Sequence, residues 1–204
     1  AAHRILVPDL GLGGGSVLSS DMNGDGLDDF IFSLERNTFG GENAGAVFLL
    51  LGPIDADVSL ESAYDALWYG AAGSFAGYTM DDLGDITGDG RSDIVIGAYE
   101  YDLSAPEGGA AYIVFGGDNE GDISLADADV VLLGGENDNL GFEVSSAGDI
   151  NADGVPDLAI NAYRFDTSQR NAGRTFVFLG PVDGSLSLDQ ADIRIDGYQE
   201  VSQS

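Results

Sequence analysis

Apolar residues along this chain fall in short runs of three to six, divided by loops rich in glycine and aspartate. One set reads Phe30-Ile31-Phe32, Ile94-Val95-Ile96 and Leu158-Ala159-Ile160, and such unbroken runs suit strands buried on both faces. About ten residues later comes a second set, Val47-Phe48-Leu49-Leu50, Tyr112-Ile113-Val114-Phe115 and Phe176-Val177-Phe178-Leu179. A third set is Ala66-Leu67-Trp68-Tyr69, Val130-Val131-Leu132-Leu133 and Ile193-Arg194-Ile195. A fourth, weaker set covers 78–83 and 142–147, and its counterpart at 11–19 is glycine-rich. No stretch carries helical periodicity.

These runs keep a common register. Three acidic loops begin at Asp21, Asp85 and Asp149, 64 residues apart each time. Gly45, Gly109 and Gly173 keep the same spacing, as do Gly52, Gly116 and Gly180, while Ser59-Leu60, Ser124-Leu125 and Ser187-Leu188 slip by one residue. The chain is therefore three copies of one unit. Four antiparallel strands per unit, with turns between them, predict an all-β fold of three β-propeller blades. The expected boundaries are 11–70, 71–134 and 135–200 for the blades. Residues 1–10 are expected to form the outer strand of a preceding blade, and 201–204 the start of a following one. Propellers close with about 4–8 blades, so the 204 residues are expected to form part of a ring.

Each acidic loop offers side-chain oxygens at positions 1, 3, 5 and 9 and a backbone carbonyl at position 7. The sets are Asp21, Asn23, Asp25, Leu27 and Asp29; Asp85, Thr87, Asp89, Arg91 and Asp93; and Asp149, Asn151, Asp153, Val155 and Asp157. Glycine at position 6 permits the bend that folds these oxygens inward. Calcium accepts six to eight oxygens at flexible geometry, whereas magnesium demands a strict octahedron, so three calcium ions per chain are expected. An EF-hand begins alike but needs an acidic residue at position 12. That position is Phe32, Ile96 and Ile160 here, so the EF-hand is excluded.

Nine-residue calcium loops between strands, repeating at this spacing, resemble the FG-GAP repeats of integrin α-subunit propellers and their bacterial-type extracellular relatives. Leu140-Gly141 stands at the Phe-Gly position, with Gly97-Ala98-Tyr99 and Asn161-Ala162-Tyr163 at the Gly-Ala-Pro position; Ser33-Leu34-Glu35 departs most. The resemblance implies a seven-bladed ring, an extracellular setting and frequent roles in adhesion. It also implies ligand recognition on the rim opposite the calcium loops, which here means loops 35–44, 99–108 and 163–172. Phe39, Tyr101 and Phe165 would supply contact area there, and Arg36, Arg164 and Arg170 positive charge.

Composition narrows the function further. Acidic residues number 36 against 7 basic ones, all arginine, for a formal charge of -29. Such a surface repels phosphates, which excludes nucleic acid as a partner. The longest apolar run is six residues, at 46–51, which excludes membrane insertion by a helix. With no cysteine there is neither a disulfide framework nor a thiolate metal site. An excess of aspartate without lysine suits a marine or high-salt habitat, where repulsion is screened. His3 is the sole histidine and no triad can be assembled around it. The leading reading is a secreted calcium-binding module that recognises a protein or glycan, not an enzyme. A surface-layer tile built from further blades or copies of itself is one alternative. Another is a non-catalytic scaffold of a polysaccharide-active enzyme; in an enzyme, Tyr99, Tyr101, Tyr163, Arg164 and Arg170 would be the residues that break the repeat symmetry.

Overall fold

The computed structural model describes residues 5–6, 15–60, 63–102, 105–167, 170–184 and 186–197. Three sheets follow one another along the chain. The first contains β2 (Val17–Ser20), β3 (Asp29–Leu34), β4 (Ala46–Leu50) and β6 (Ala66–Tyr69). The second contains β7 (Met80–Gly84), β8 (Asp93–Ala98), β9 (Ala110–Val114) and β11 (Val130–Leu133). The third contains β12 (Leu140–Gly148), β13 (Asp157–Ala162), β14 (Arg174–Phe178) and β15 (Ile193–Asp196). All twelve run antiparallel to their neighbours within a sheet, in chain order. The fold is all-β, three blades of a partial propeller, with no α-helix among the described residues.

Two short strands add a feature the apolar pattern does not show. β10 (Gly121–Ser124), from the second repeat, pairs in parallel with β6 at the outer edge of the first sheet. β5 (Val58–Ser59), from the first repeat, pairs in parallel with β1 (Ile5–Leu6) in the same way. The first and second repeats thus reach back to cover the outer edge that precedes them, which removes an exposed row of backbone groups. Short 3-10 turns follow at Leu125–Asp127 and Leu188–Gln190.

The sheets bury their faces against one another. Ile94 and Ile96 turn toward the first sheet, where Trp68, Met22 and Tyr112 complete the core. Val95 turns the other way and meets Leu158, Ile160 and Phe178 of the third sheet. Trp68 is therefore an interblade core residue, closed to solvent. On the far side of the third sheet the counterparts of Val95, Gly97 and Ala111 are Ala159, Asn161 and Thr175. Asn161 Nδ2 donates to Thr175 Oγ1 at 3.2 Å there, so that face is smaller and more polar than its equivalents.

Backbone packing between blades requires glycine at two positions. A Cβ on Gly97 would lie 2.2 Å from the carbonyl oxygen of Gly141, and Gly141 itself has φ +80°. The Phe-Gly position of one blade therefore seats on the Gly-Ala-Pro position of the blade before it. In the first blade Ser33 occupies the latter place, and its hydroxyl donates to Gly77 O at 2.6 Å. Inner strands add further links: Ser20 Oγ donates to Asp82 at 2.9 Å and Ser145 Oγ to Asp81 at 2.7 Å.

Candidate functional site

The acidic loops join the first two strands of each blade, so all three lie on one rim; the described residues of loops 35–44, 99–108 and 163–172 lie on the other. Within a loop the position-1 carboxylate gathers the backbone. Asp21 Oδ1 accepts from Gly24 N at 2.8 Å and Asp25 N at 3.1 Å, and its Oδ2 from Gly26 N at 2.9 Å. Asn23 Oδ1 accepts from the same Asp25 N–H at 2.9 Å, so the oxygens of positions 1 and 3 converge. The third loop repeats this through Asp149, Asn151 and Asp153 at 3.1 and 2.9 Å. In the second loop Thr87 instead donates its hydroxyl to Asp85, at 3.4 Å.

Position 9 has a second duty. Asp93 Oδ2 accepts from Ile86 N at 2.9 Å and Thr87 N at 3.1 Å, and Oδ1 from Gly116 N at 2.8 Å. Asp29 and Asp157 make the equivalent bonds to Met22 and Gly52, and to Ile150 and Gly180. These carboxylates, all buried, tie each loop to the end of the third strand in its blade. Burial lifts the Asp29 carboxyl above its ordinary value and pushes Asp93 up to about 6, against the opposing pull of the backbone N–H groups.

Among the described residues no three carboxylates stand close enough together to hold a metal ion as they are oriented. The donor set nevertheless fits calcium in kind. Every side-chain ligand position is oxygen, positions 1 and 3 already converge, and the Oδ2 atoms of Asp21, Asp85 and Asp149 each keep a second lone pair beside one N–H bond. The residues that would hold the ions are the fifteen named from the sequence.

Position 2 of the first two loops, which the sequence did not single out, is a blade-to-blade plug. Met22 and Ile86 are fully buried in the interblade cores. Their carbonyl oxygens accept from Gly117 N at 2.8 Å and Val182 N at 3.1 Å, both in the following blade. Ile150, the third of the set, is 52% exposed.

The opposite rim carries an aromatic ladder in repeat register. Tyr78 meets Tyr99 at 4.6 Å between ring centroids, and Phe142 meets Tyr163 at 4.5 Å. Of the six proposed contact residues, Phe39 is 53% exposed, while Arg36 and Arg170 lie at the surface. Tyr101 and Phe165 are half-buried, packing edge-on to Tyr112 and Phe176 of their own blades at 6.4 and 5.7 Å. Arg164 pairs with Glu107 at 2.5 Å and caps the Tyr163 ring at 5.3 Å. Together with Tyr99 and Phe75 these residues wall a cleft of about 450 Å³. Asn139 sits at its base, 3% exposed, with Oδ1 unbonded among the described residues. An orphaned buried acceptor costs about 1–3 kcal/mol. Asn139 aligns with Phe75 one repeat earlier, and that break in symmetry was the available sequence signal. His3 lies outside the described residues.

Twisted four-stranded blades in tandem, each opening on an aspartate-rich loop, define a repeat protein of the β-propeller class. The FG-GAP repeat pattern matches residues 82–114 and 141–178. Integrin alpha-PS2 of Drosophila melanogaster is 32% identical over 166 residues, 75% of this chain and 12% of that protein. Integrin alpha-3 of Cricetulus griseus is 32% identical over 157 residues, 76% of this chain and 14% of that protein. Integrin alpha-6 of Homo sapiens is 34% identical over 145 residues, 70% and 12%. The chain is an FG-GAP repeat protein of integrin α-like sequence. It spans 12–14% of the length of these relatives. No described helix is long and apolar enough to cross a membrane.

Proposed function

We propose that this chain is an extracellular calcium-binding propeller module, used in adhesion, that recognises a protein or glycan on the rim opposite its acidic loops. The observation that carries it is the threefold recurrence of one loop geometry, with Asp21, Asp85 and Asp149 each accepting the N–H of position 6 at 2.8–2.9 Å. Bound calcium would neutralise the clustered aspartates and fix each loop against its blade. Millimolar extracellular calcium suits loops of this kind. The blade boundaries at 11–70, 71–134 and 135–200 belong to this reading. So does a preceding blade that contributes 1–10, favoured by β1 pairing with β5 as β6 pairs with β10. A marine or high-salt habitat rests on the acidic, lysine-free composition, and a bacterial-type membership rests on the family resemblance alone.

The experiment is calorimetric calcium titration, followed by partner binding to wild type and an Arg36→Ala, Phe39→Ala, Arg170→Ala triple variant. Three ions and a loss of affinity of tenfold or more are expected. No calcium uptake sinks the metal assignment, and undiminished affinity sinks the choice of rim. A tile would instead self-associate, which Ile193 and Ile195, 42% and 58% exposed on β15, would drive; light scattering in calcium separates the two.

A further inference from the structure

We infer that the cleft between the second and third blades binds a neutral saccharide, one pyranose unit of a glycan. The inference deepens the proposed rim reading and rests on it. At about 450 Å³ the cleft lies in the range of small-ligand sites, roughly 300–1,000 Å³. Its chemistry then selects the occupant.

Asn139 fixes the central requirement. Its Nδ2 donates to Tyr99 O at 3.0 Å, which sets the amide orientation and leaves Oδ1 as the unpaired acceptor of a residue that lines the cleft. The backbone is held just as firmly, at φ +50°, with Asn139 N donating to Glu107 O at 2.9 Å. Phe75, one repeat earlier, has the same left-handed conformation, φ +51°. One backbone position thus presents an apolar ring in one blade and a buried, unsatisfied amide oxygen in the next. That oxygen lacks only a donor.

The charged groups around it are already engaged. Asp102 Oδ1 accepts from Glu107 N at 2.6 Å, and the Glu107 carboxylate holds Arg164. A cationic ligand would meet the Arg164 guanidinium, and an anionic one would meet Glu100 and Asp102. Hydroxyl groups donate and accept, so they satisfy Asn139 Oδ1, the remaining carboxylate lone pairs and the guanidinium together. Tyr99 and Tyr163 line the same cleft and give it aromatic walls against which the C–H groups of a pyranose can pack. Arg164, stacked over Tyr163 at 5.3 Å, holds that ring in place.

Ligand-observed NMR and calorimetry on the calcium-loaded protein test this. The probes are neutral glucose, galactose and mannose disaccharides, a uronate disaccharide and an arginine-containing peptide. A neutral disaccharide is expected to bind, with affinity falling at least tenfold in Tyr163→Ala and Asn139→Leu and unchanged in Tyr64→Phe on the far rim. Where Asn139→Leu loses its cooperative melt, Tyr163→Ala and Arg164→Ala carry the test. Failure of every neutral disaccharide, tighter binding of the uronate or the peptide, or affinity indifferent to these variants overturns the inference. If the saccharides fail while the Arg36, Phe39, Arg170 triple variant still loses a protein partner, the rim reading stands and this inference falls. If a saccharide binds through Tyr163 and the triple variant is silent, the cleft stands and the outer contact residues fall.

Discussion

Truncating Ile86 to alanine should destabilise the fold far more than the same change at Ile150, although both hold position 2 of an acidic loop. Ile86 is fully buried among Leu83, Leu158 and Val182, between the second and third blades. Removing three of its carbons forfeits about 0.8 kcal/mol each in transfer free energy, about 2.4 kcal/mol in all. Because the surrounding strands relax only in part, a cavity adds to this, and a total of about 3 kcal/mol falls within the range for buried Ile→Ala changes. At about 2–4 °C per kcal/mol for a domain of this size, the melting temperature should drop by roughly 6–12 °C. Ile150 is 52% exposed in the folded chain, so half its transfer term is absent, no cavity forms, and the loss should be about 1 kcal/mol. Urea and thermal melts of both variants, in calcium and in chelator, give the comparison. Equal losses, or a larger one for Ile150→Ala, would refute the idea that position 2 is the interblade plug.

Calcium at 100 times its Kd should add about 2.7 kcal/mol per site, so chelation should lower the melting temperature markedly. Calorimetry should find the loop with Thr87 weakest, because a hydroxyl replaces the amide oxygen of Asn23 and Asn151. Gly97→Ala should cost about 1–3 kcal/mol by overpacking, since the new methyl would lie 2.2 Å from Gly141 O, a backbone atom; a neutral melt would remove the glycine contact from the interface. In chelator, stability should fall as pH rises from about 4 to about 6. The raised Asp93 carboxyl, moved from 3.8 to about 6 by burial, keeps the folded chain more protonated than the unfolded one across that window. Calcium should reverse this trend, and a chelated protein that gains stability over the same window would contradict it.

The blade strands were legible because each is a run of β formers buried on both faces, as at Ile94-Val95-Ile96. The repeat register then placed the weaker inner strands, such as β7, whose own sequence Met-Asp-Asp-Leu-Gly reads as loop. β5 and β10 were not legible, since two and four mixed residues carry no periodicity and their pairing is set by the neighbouring blade's edge. The acidic loops were legible as oxygen-rich turns, but the burial of Asp29, Asp93 and Asp157 depends on N–H groups that lie up to 23 residues away. Tyr101 and Phe165 illustrate the same limit. Their loops fold back on their own blades, through Tyr101 N to Ala98 O and Phe165 N to Ala162 O, so the rings pack inward.

In the proposed function the two rims divide the work, and strand length keeps them apart. β3, β8 and β13 each run six residues from the acidic loop to the recognition loop, about 20 Å at 3.3 Å per residue. At that distance a bound cation is largely screened from a ligand on the far rim, because the Debye length is about 8–10 Å in ordinary salt. Coupling between the rims must therefore pass through the fold. The route is visible: each position-9 aspartate, already a candidate ligand, also clamps its loop to Gly52, Gly116 or Gly180 at the end of the third strand. The neighbouring position-2 residue plugs the next blade. A cation that tightened one loop would stiffen its own sheet and, for the first two loops, the following interface; the second of these is where the cleft at Asn139 is formed. In the proposed function, calcium would stabilise the geometry of the opposite rim without touching what binds there.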